Sequence, residues 1–224
     1  MSKQRVTPQV AWDTLRAGND RFIAGTSNHP NQDVDRRSEL VNVQTPDIAL
    51  FGCSDSRLAA EIIFDCGLGD LFIARNMGHV VAESITASME YAVTELGSSL
   101  IVVLAHDSCG AVAAAIDQSS RTPGTVTDSV RNTLAPTQPA VQQYWHRDHH
   151  ESPYAEASQI DANAVGRLHL AATVNELLRN SRVISEAVDR GELAIVGCQY
   201  RLVEGRAVPY TAVGTLDIDI HDAA

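Results

Sequence analysis

The chain predicts an α/β fold: a mainly parallel β-sheet flanked by helices, with an N-terminal helical arm and an edge strand near the C-terminus. Three observations carry this expectation. The short runs Ile48–Gly52, Leu71–Ala74, Leu100–Ala105 and Leu193–Gly197 are apolar without alternation, as in strands buried on both faces. Stretches rich in Ala, Leu, Ile, Met and Glu separate them, which gives the β-α-β alternation of a parallel sheet. The 224 residues, 44% of them hydrophobic, are enough for one buried core. We expect a single domain over 1–224, with 1–45 as the arm and 46–215 as the α/β core.

In chain order, Thr7 is a good N-cap and Pro8 suits a first helical turn, so a helix carrying Val10, Trp12, Leu15 and Phe22 should run to a stop at Gly25. With no obvious core to receive it, it is expected to dock outside the main one. A turn-rich stretch with His29, Pro30 and Asn31 precedes a short helix over Asp33 to Val43. Helical patterns follow at Leu58 to Phe64, Glu83 to Leu96 and Ala111 to Ile116. Between Asp117 and Ser158 the prolines 123, 136, 139 and 153 predict an irregular excursion with helical pieces, one that would order against a partner subunit. Helices over Ala157 to Arg179 and Ser181 to Arg190, closed by Gly191, lead to the Leu193 strand. Tyr210 to Ile218 reads as the edge strand and tail.

The charge balance narrows the function. With 17 Lys+Arg against 28 Asp+Glu, the formal charge of −11 opposes phosphate backbones and anionic lipid, so neither nucleic acid nor membrane is expected as a partner. The N-terminus has no apolar signal core, and no apolar run has membrane-spanning length. Four cysteines are too few for a disulfide scaffold, and a reducing, cytoplasmic location suits thiolate ligands. Cys66 and Cys198 read as small buried hydrophobes.

The other two cysteines sit in motifs. Cys53-Ser54-Asp55-Ser56-Arg57 and His106-Asp107-Ser108-Cys109-Gly110 each begin where a strand-like run ends. Ligands of open parallel sheets gather outside the carboxyl ends of strands. If the strands ending at Gly52 and Ala105 are neighbours, Cys53, His106 and Cys109 converge as two thiols and an imidazole. Structural zinc is usually closed by four protein ligands, whereas catalytic zinc keeps one position open, so a three-ligand set beside Asp55 and Arg57 points to activated water. Taken singly, each residue reads as an ordinary buried cysteine, hydrogen-bonded histidine or loop ion pair; together they do not.

These segments resemble the β class of carbonic anhydrases, whose signatures are Cys-x-Asp-x-Arg and a later His-x-x-Cys-Gly. The resemblance extends through Gln44-Thr45-Pro46, Gly69-Asp70-Leu71-Phe72, Arg75-Asn76, Tyr200 and Gly205-Arg206, and covers about Val10 to Tyr210. It implies one Zn2+ per chain on Cys53, His106 and Cys109, an Asp55–Arg57 dyad, and Gln44 reaching the substrate across a dimer interface. It also implies attack of zinc-bound hydroxide on carbon dioxide to give bicarbonate. Two thiolates neutralise the metal charge and leave its water less acidified than three histidines would. Asp55 would compensate by accepting a hydrogen bond from the nucleophile, while Arg57 keeps the carboxylate ionised and turned from the metal. Loss of that grip would let Asp55 close the fourth position, as the resemblance implies for some members at lower pH. Gly110, at a helix start, would offer its N–H to an oxygen of substrate or product.

A regulatory bicarbonate pocket in some β-class enzymes uses Trp, Arg and Tyr. Arg75 and Tyr200 match two of these positions, but Leu50 stands at the third. His79, His146, His149 and His150 read as solvated surface and are given no role. A cysteine phosphatase or sulfurtransferase would need five residues between Cys and Arg where this chain has three, one of them acidic. A structural zinc or redox module would leave Gln44, Asp55 and Arg57 idle. Hydrolysis of carbon disulfide or carbonyl sulfide on the same scaffold stays open. The unplaced amphipathic helix and the resemblance both imply a homodimer at least, or a homotetramer.

Overall fold

A computed structural model of the chain describes residues 5–148, 152 and 154–220. The elements are α1 (Pro8–Ile23), α2 (Val34–Glu39), β1 (Ile48–Cys53), α3 (Ala60–Ile63), β2 (Leu71–Asn76), α4 (Glu83–Thr94), β3 (Leu100–His106) and α5 (Gly110–Gln118). They continue with α6 (Asp128–Leu134), α7 (Gln138–Trp145), α8 (Ala162–Asn180), α9 (Arg182–Asp189), β4 (Ala194–Arg201) and β5 (Arg206–Val213). A 3-10 turn, Met77–His79, follows β2 directly.

The five strands lie in the order β2-β1-β3-β4-β5, with the first four parallel and β5 antiparallel on the outer edge. Every residue of β1 and β3 is buried, because both faces are covered. Leu50, Val102 and Val196 face a cluster with α1, α3, α5 and α7, whereas Phe51, Val103 and Ile195 face α4, α8 and α9. From β1 the chain passes to β2 on one side, and from β3 to β4 on the other. The crevice between the carboxyl ends of β1 and β3 is therefore a topological switch point, where such sheets bind ligands.

One expectation about packing is corrected. Helix α1 does not dock outside the core: Trp12 is 4% and Leu15 0% exposed, both in the main cluster. Asn19 pins the helix, donating to the carbonyls of Ile63 at 3.0 Å and Gly205 at 2.8 Å and accepting from the Ala207 N–H at 3.0 Å. At Gly18 the helix passes so close to Phe64 that an added Cβ would lie 1.9 Å from its carbonyl oxygen. The amphipathic helix has a home in its own chain, which removes one of the two grounds for expecting an oligomer. Within 117–148 the excursion forms the helical pieces α6 and α7. Leu134, Val141 and Trp145 of α6 and α7 are buried in the same core.

Several boundaries differ for local reasons. Helix α3 is shorter than expected because the Leu58 N–H closes a turn onto the Asp55 carbonyl. Helix α8 starts at Ala162, capped by Asp161, and residues 157–159 form a separate 3-10 turn. Strand β2 runs on through Arg75 and Asn76, which are polar because this is a sheet edge. Strand β5 begins at Arg206, earlier than Tyr210.

Candidate metal centre

Register brings the two motifs together. Gly52 pairs with Leu104 and Cys53 with Asn76, while His106 pairs with Tyr200, so the end of β1 lies beside the end of β3. Ser108 takes a left-handed φ of 51° and turns the chain into α5, whose N-cap is Cys109. The ligand atoms of Cys53, His106 and Cys109 lie within 4.8 Å of one another, and all three residues are buried. No disulfide joins the cysteines.

The histidine is oriented for ligation. Its Nδ1 lies 2.9 Å from the Asp107 carbonyl, which can only accept, so Nδ1 carries the proton and Nε2 presents a lone pair. That Nε2 is buried without a hydrogen-bond partner, a costly arrangement unless an ion takes the lone pair. The Cys109 thiol donates to Cys53 and pulls its pKa down. Burial opposes this, and the backbone N–H groups of Asp55 and Gly78 reinforce it. Cys109 is pushed up by the same bond and by burial. The donor set, two thiols and one correctly tautomerised imidazole, fits zinc.

Asp55 and Arg57 flank the cluster. Arg57 Nε donates to Asp55 Oδ1 and its Nη2 to Oδ2, both at 2.8 Å, and the Arg57 backbone N–H adds a third bond at 3.0 Å. This fork holds the Asp55 carboxyl well below the usual carboxylate range against the opposing effect of burial. Oδ2 is also 3.9 Å from His106 Nε2, so the carboxylate borders the space the three ligands face. Arg57 reaches the Ser108 carbonyl at 3.3 Å as well, tying the two loops together.

The other expected residues are distributed as follows. Gly110 is the first residue of α5, exposed, with open space over its Cα. Gln44 is exposed and precedes the amino end of β1, whereas Cys53 closes its carboxyl end. A six-residue strand is roughly 17 Å long, so Gln44 is remote from its own chain's cluster. It lines an open groove of about 680 Å³ with Val41, Val43, Leu68 and Tyr91. Arg75 donates through Nε to the Cys53 carbonyl at 2.8 Å and through Nη2 to the Asp55 carbonyl. Tyr200 is buried on β4, with β1 and β3 between it and Arg75, and Leu50 is buried on β1.

Sequence reasoning missed Asp107. Its N–H donates to the Tyr200 carbonyl at 3.1 Å and its Oδ1 accepts from the Leu202 N–H at 3.1 Å, clasping the His106 loop to β4. It also misread His79, which is 1% exposed and no surface residue. His146 is half-buried, and His149, His150 and Pro153 lie outside the described residues.

The family model described as carbonic anhydrase matches residues 48–207. The chain belongs to the β carbonic anhydrase family. Carbonic anhydrase 2 of Mycobacterium tuberculosis is 44% identical over 214 residues, covering 95% of this chain and 98% of that protein. The carbonic anhydrase of Mycolicibacterium smegmatis is 42% identical, with 89% and 91% covered. Among solved structures, a tetrameric β-carbonic anhydrase of Sordaria macrospora superposes with a TM-score of 0.66 at 25% identity, over 90% of this chain and 97% of that one. The chain is thus an enzyme, a carbonic anhydrase, and its Cys-His-Cys cluster is able to hold a metal ion.

Proposed function

We propose that the chain catalyses the reversible hydration of carbon dioxide to bicarbonate and a proton, with one zinc ion held by Cys53, His106 and Cys109. The observation that carries this reading is the partnerless, buried Nε2 of His106 among two thiols, bordered by an arginine-held carboxylate. Zinc bound there would supply the Lewis acidity that makes water nucleophilic near neutral pH. The chain's own residues do the rest. Asp55, kept ionised by Arg57, accepts a hydrogen bond from the attacking water and aims its lone pair toward carbon dioxide. Arg57 fixes the carboxylate by both oxygens, so Asp55 stays turned toward the guanidinium and leaves the substrate's place open. Gly110 offers the exposed N–H of the α5 terminus to an oxygen of carbon dioxide or bicarbonate.

In this reading the working unit is a dimer, or a tetramer as described for the Sordaria macrospora relative. Gln44 cannot serve its own chain's site across the length of β1, so it serves a partner's. The groove it lines exposes Val41, Val43, Leu68 and Tyr91 beside the β2 edge, as a second copy would require. Bicarbonate regulation is not part of the proposal, because Arg75 is engaged with two carbonyls of the Cys53 loop and Leu50 replaces the aromatic wall. The cytoplasm, where thiols stay reduced, suits this ligand set. Among the described residues no helix is long and apolar enough to cross a membrane.

The test is metal analysis of the purified chain with turnover of carbon dioxide and of carbon disulfide. Zinc with rapid carbon dioxide hydration supports the proposal. Zinc with carbon disulfide turnover alone moves the reading to sulfur substrates, and zinc without turnover makes the site structural.

A further inference from the structure

Two buried histidines outside the ligand set lie behind the metal centre. His79 ends the Met77–His79 turn, in which Gly78 has φ 75° and His79 φ 44°, a left-handed pair with a non-glycine member. Such a backbone is disfavoured for a residue with a Cβ and persists only where its surroundings fix it. Helix α8 provides the fixing. His169 is 2% exposed, and its Nε2 lies 2.9 Å from the Gly78 carbonyl. A carbonyl only accepts, so Nε2 carries the proton; burial keeps the ring neutral, with that one N–H as its sole donor. Nδ1 is left without a partner, while the Thr137 hydroxyl lies farther from Nε2, at 3.5 Å. One helical turn on, the Thr173 hydroxyl is 3.4 Å from the His79 carbonyl. The rings of His169 and His79 pack at 4.5 Å between centroids.

The opposite side of the turn bears on the ligands. Asn76, just before it, pairs in register with Cys53 and accepts from the Ser54 N–H at 2.8 Å. Its side chain brackets Val80, donating to that residue's carbonyl at 2.7 Å and accepting from its N–H at 2.9 Å. Gly78 is pressed on the first turn of α5, where a Cβ would lie 2.9 Å from that of Ala111, two residues beyond Cys109. The turn is therefore gripped by α8 on one side, and on the other it meets Cys53 through the Gly78 N–H and the first turn of α5, which Cys109 caps.

We propose that His169 is a positioning residue for the metal centre: its Nε2–H, with the Thr173 hydroxyl beside it, holds the Met77–His79 turn so that Gly78 stays seated against Cys53 and the first turn of α5, which Cys109 caps. The inference rests on the zinc reading above. The test compares zinc-loaded wild type with His169→Phe, which keeps a ring but no donor, His169→Gln, which keeps an N–H at similar reach, and Thr173→Val. Two signals are read: zinc release to excess chelator, and the thiolate-to-metal charge-transfer band of the cobalt-substituted protein. His169→Phe is expected to release zinc on the order of tenfold faster with a displaced band, Thr173→Val to shift both less, and His169→Gln to stay near wild type. Wild-type release and an unmoved band in His169→Phe overturn the inference, as does a His169→Gln protein as impaired as the Phe variant, which would make the ring's volume the cause. If His169→Phe does not fold, Thr173→Val decides: faster release supports the inference and unchanged release overturns it. A wild-type protein that takes up no zinc fails the zinc reading itself, and this inference with it.

Discussion

Two aspartate–arginine pairs stand at opposite ends of the sheet, and they differ in every respect except their chemistry. Asp55 and Arg57 are two residues apart on the loop after β1, with side chains 18% and 48% exposed. Asp65 lies 44 residues from its partner Arg21, before the amino end of β2, and its side chain is fully buried. It accepts from Arg21 Nε at 2.6 Å and from the N–H groups of Asn28 and His29, each at 2.9 Å. The short-range pair borders three candidate ligands, and its distant bond runs from Arg57 to the Ser108 carbonyl of the other ligand loop. The long-range pair fastens α1 and the loop after it to the sheet. A salt bridge that contributes little to folding is the one free to serve chemistry, and the buried one with all its acceptors used is the one that holds the chain.

The comparison predicts a double dissociation. Asp55→Ala should lower carbon dioxide hydration by on the order of 100-fold while zinc content and the thermal midpoint stay near wild type. A variant that loses zinc or melts early would show that this pair holds the fold as well. Arg57→Ala, which frees the carboxylate without removing it, should lower hydration by about 10-fold, and a rate equal to wild type would take the arginine out of the account.

Asp65→Asn should act oppositely, costing about 2 kcal/mol of stability in chemical denaturation with hydration per folded, zinc-loaded chain unchanged. Its pH signature has a definite sign. Burial pushes the Asp65 carboxyl up, but the N–H groups of Asn28 and His29 and the Arg21 guanidinium outweigh it and hold the folded-state pKa below the ordinary value. The stability it contributes is thus present above about pH 4 and is lost as pH falls through the lowered folded value. Denaturation midpoints of wild type and Asp65→Asn should converge as the solution is acidified below pH 4, and a constant gap would remove the charge from the explanation. Smallest is Gly18→Ala, where the intruding Cβ should cost about 1 to 2 kcal/mol as α1 backs away from Phe64.

The comparison also separates what was legible in the sequence from what was not. The strands were readable because β1, β3 and most of β4 are buried on both faces and therefore open on apolar runs, Ile48–Phe51, Leu100–Ala105 and Ala194–Val196. Cys53, Asp55, Arg57, His106 and Cys109 were readable because each motif is contiguous and starts where a strand ends. Asp65, Gly18 and Asn19 carried no such signal. Their meaning depends on Arg21, Phe64 and Gly205, residues that become neighbours only after folding. The placement of α1 was lost for the same reason. Its amphipathic pattern says that a face is buried and not against what, and only the fold shows Trp12 and Leu15 in the main core. His169 and Asp107 are single polar residues in ordinary surroundings, and only the carbonyl or N–H each one meets shows what it does.

The central claim is that three buried side chains hold zinc and that Asp55 acts beside it without holding it. Stopped-flow carbon dioxide hydration at about pH 8.5, with zinc measured on the same samples of wild type and Asp55→Ala, tests this most directly. The account predicts close to one zinc per chain in both proteins and a rate reduced on the order of 100-fold in the variant. Equal rates at equal zinc, or a wild type without zinc, would contradict it.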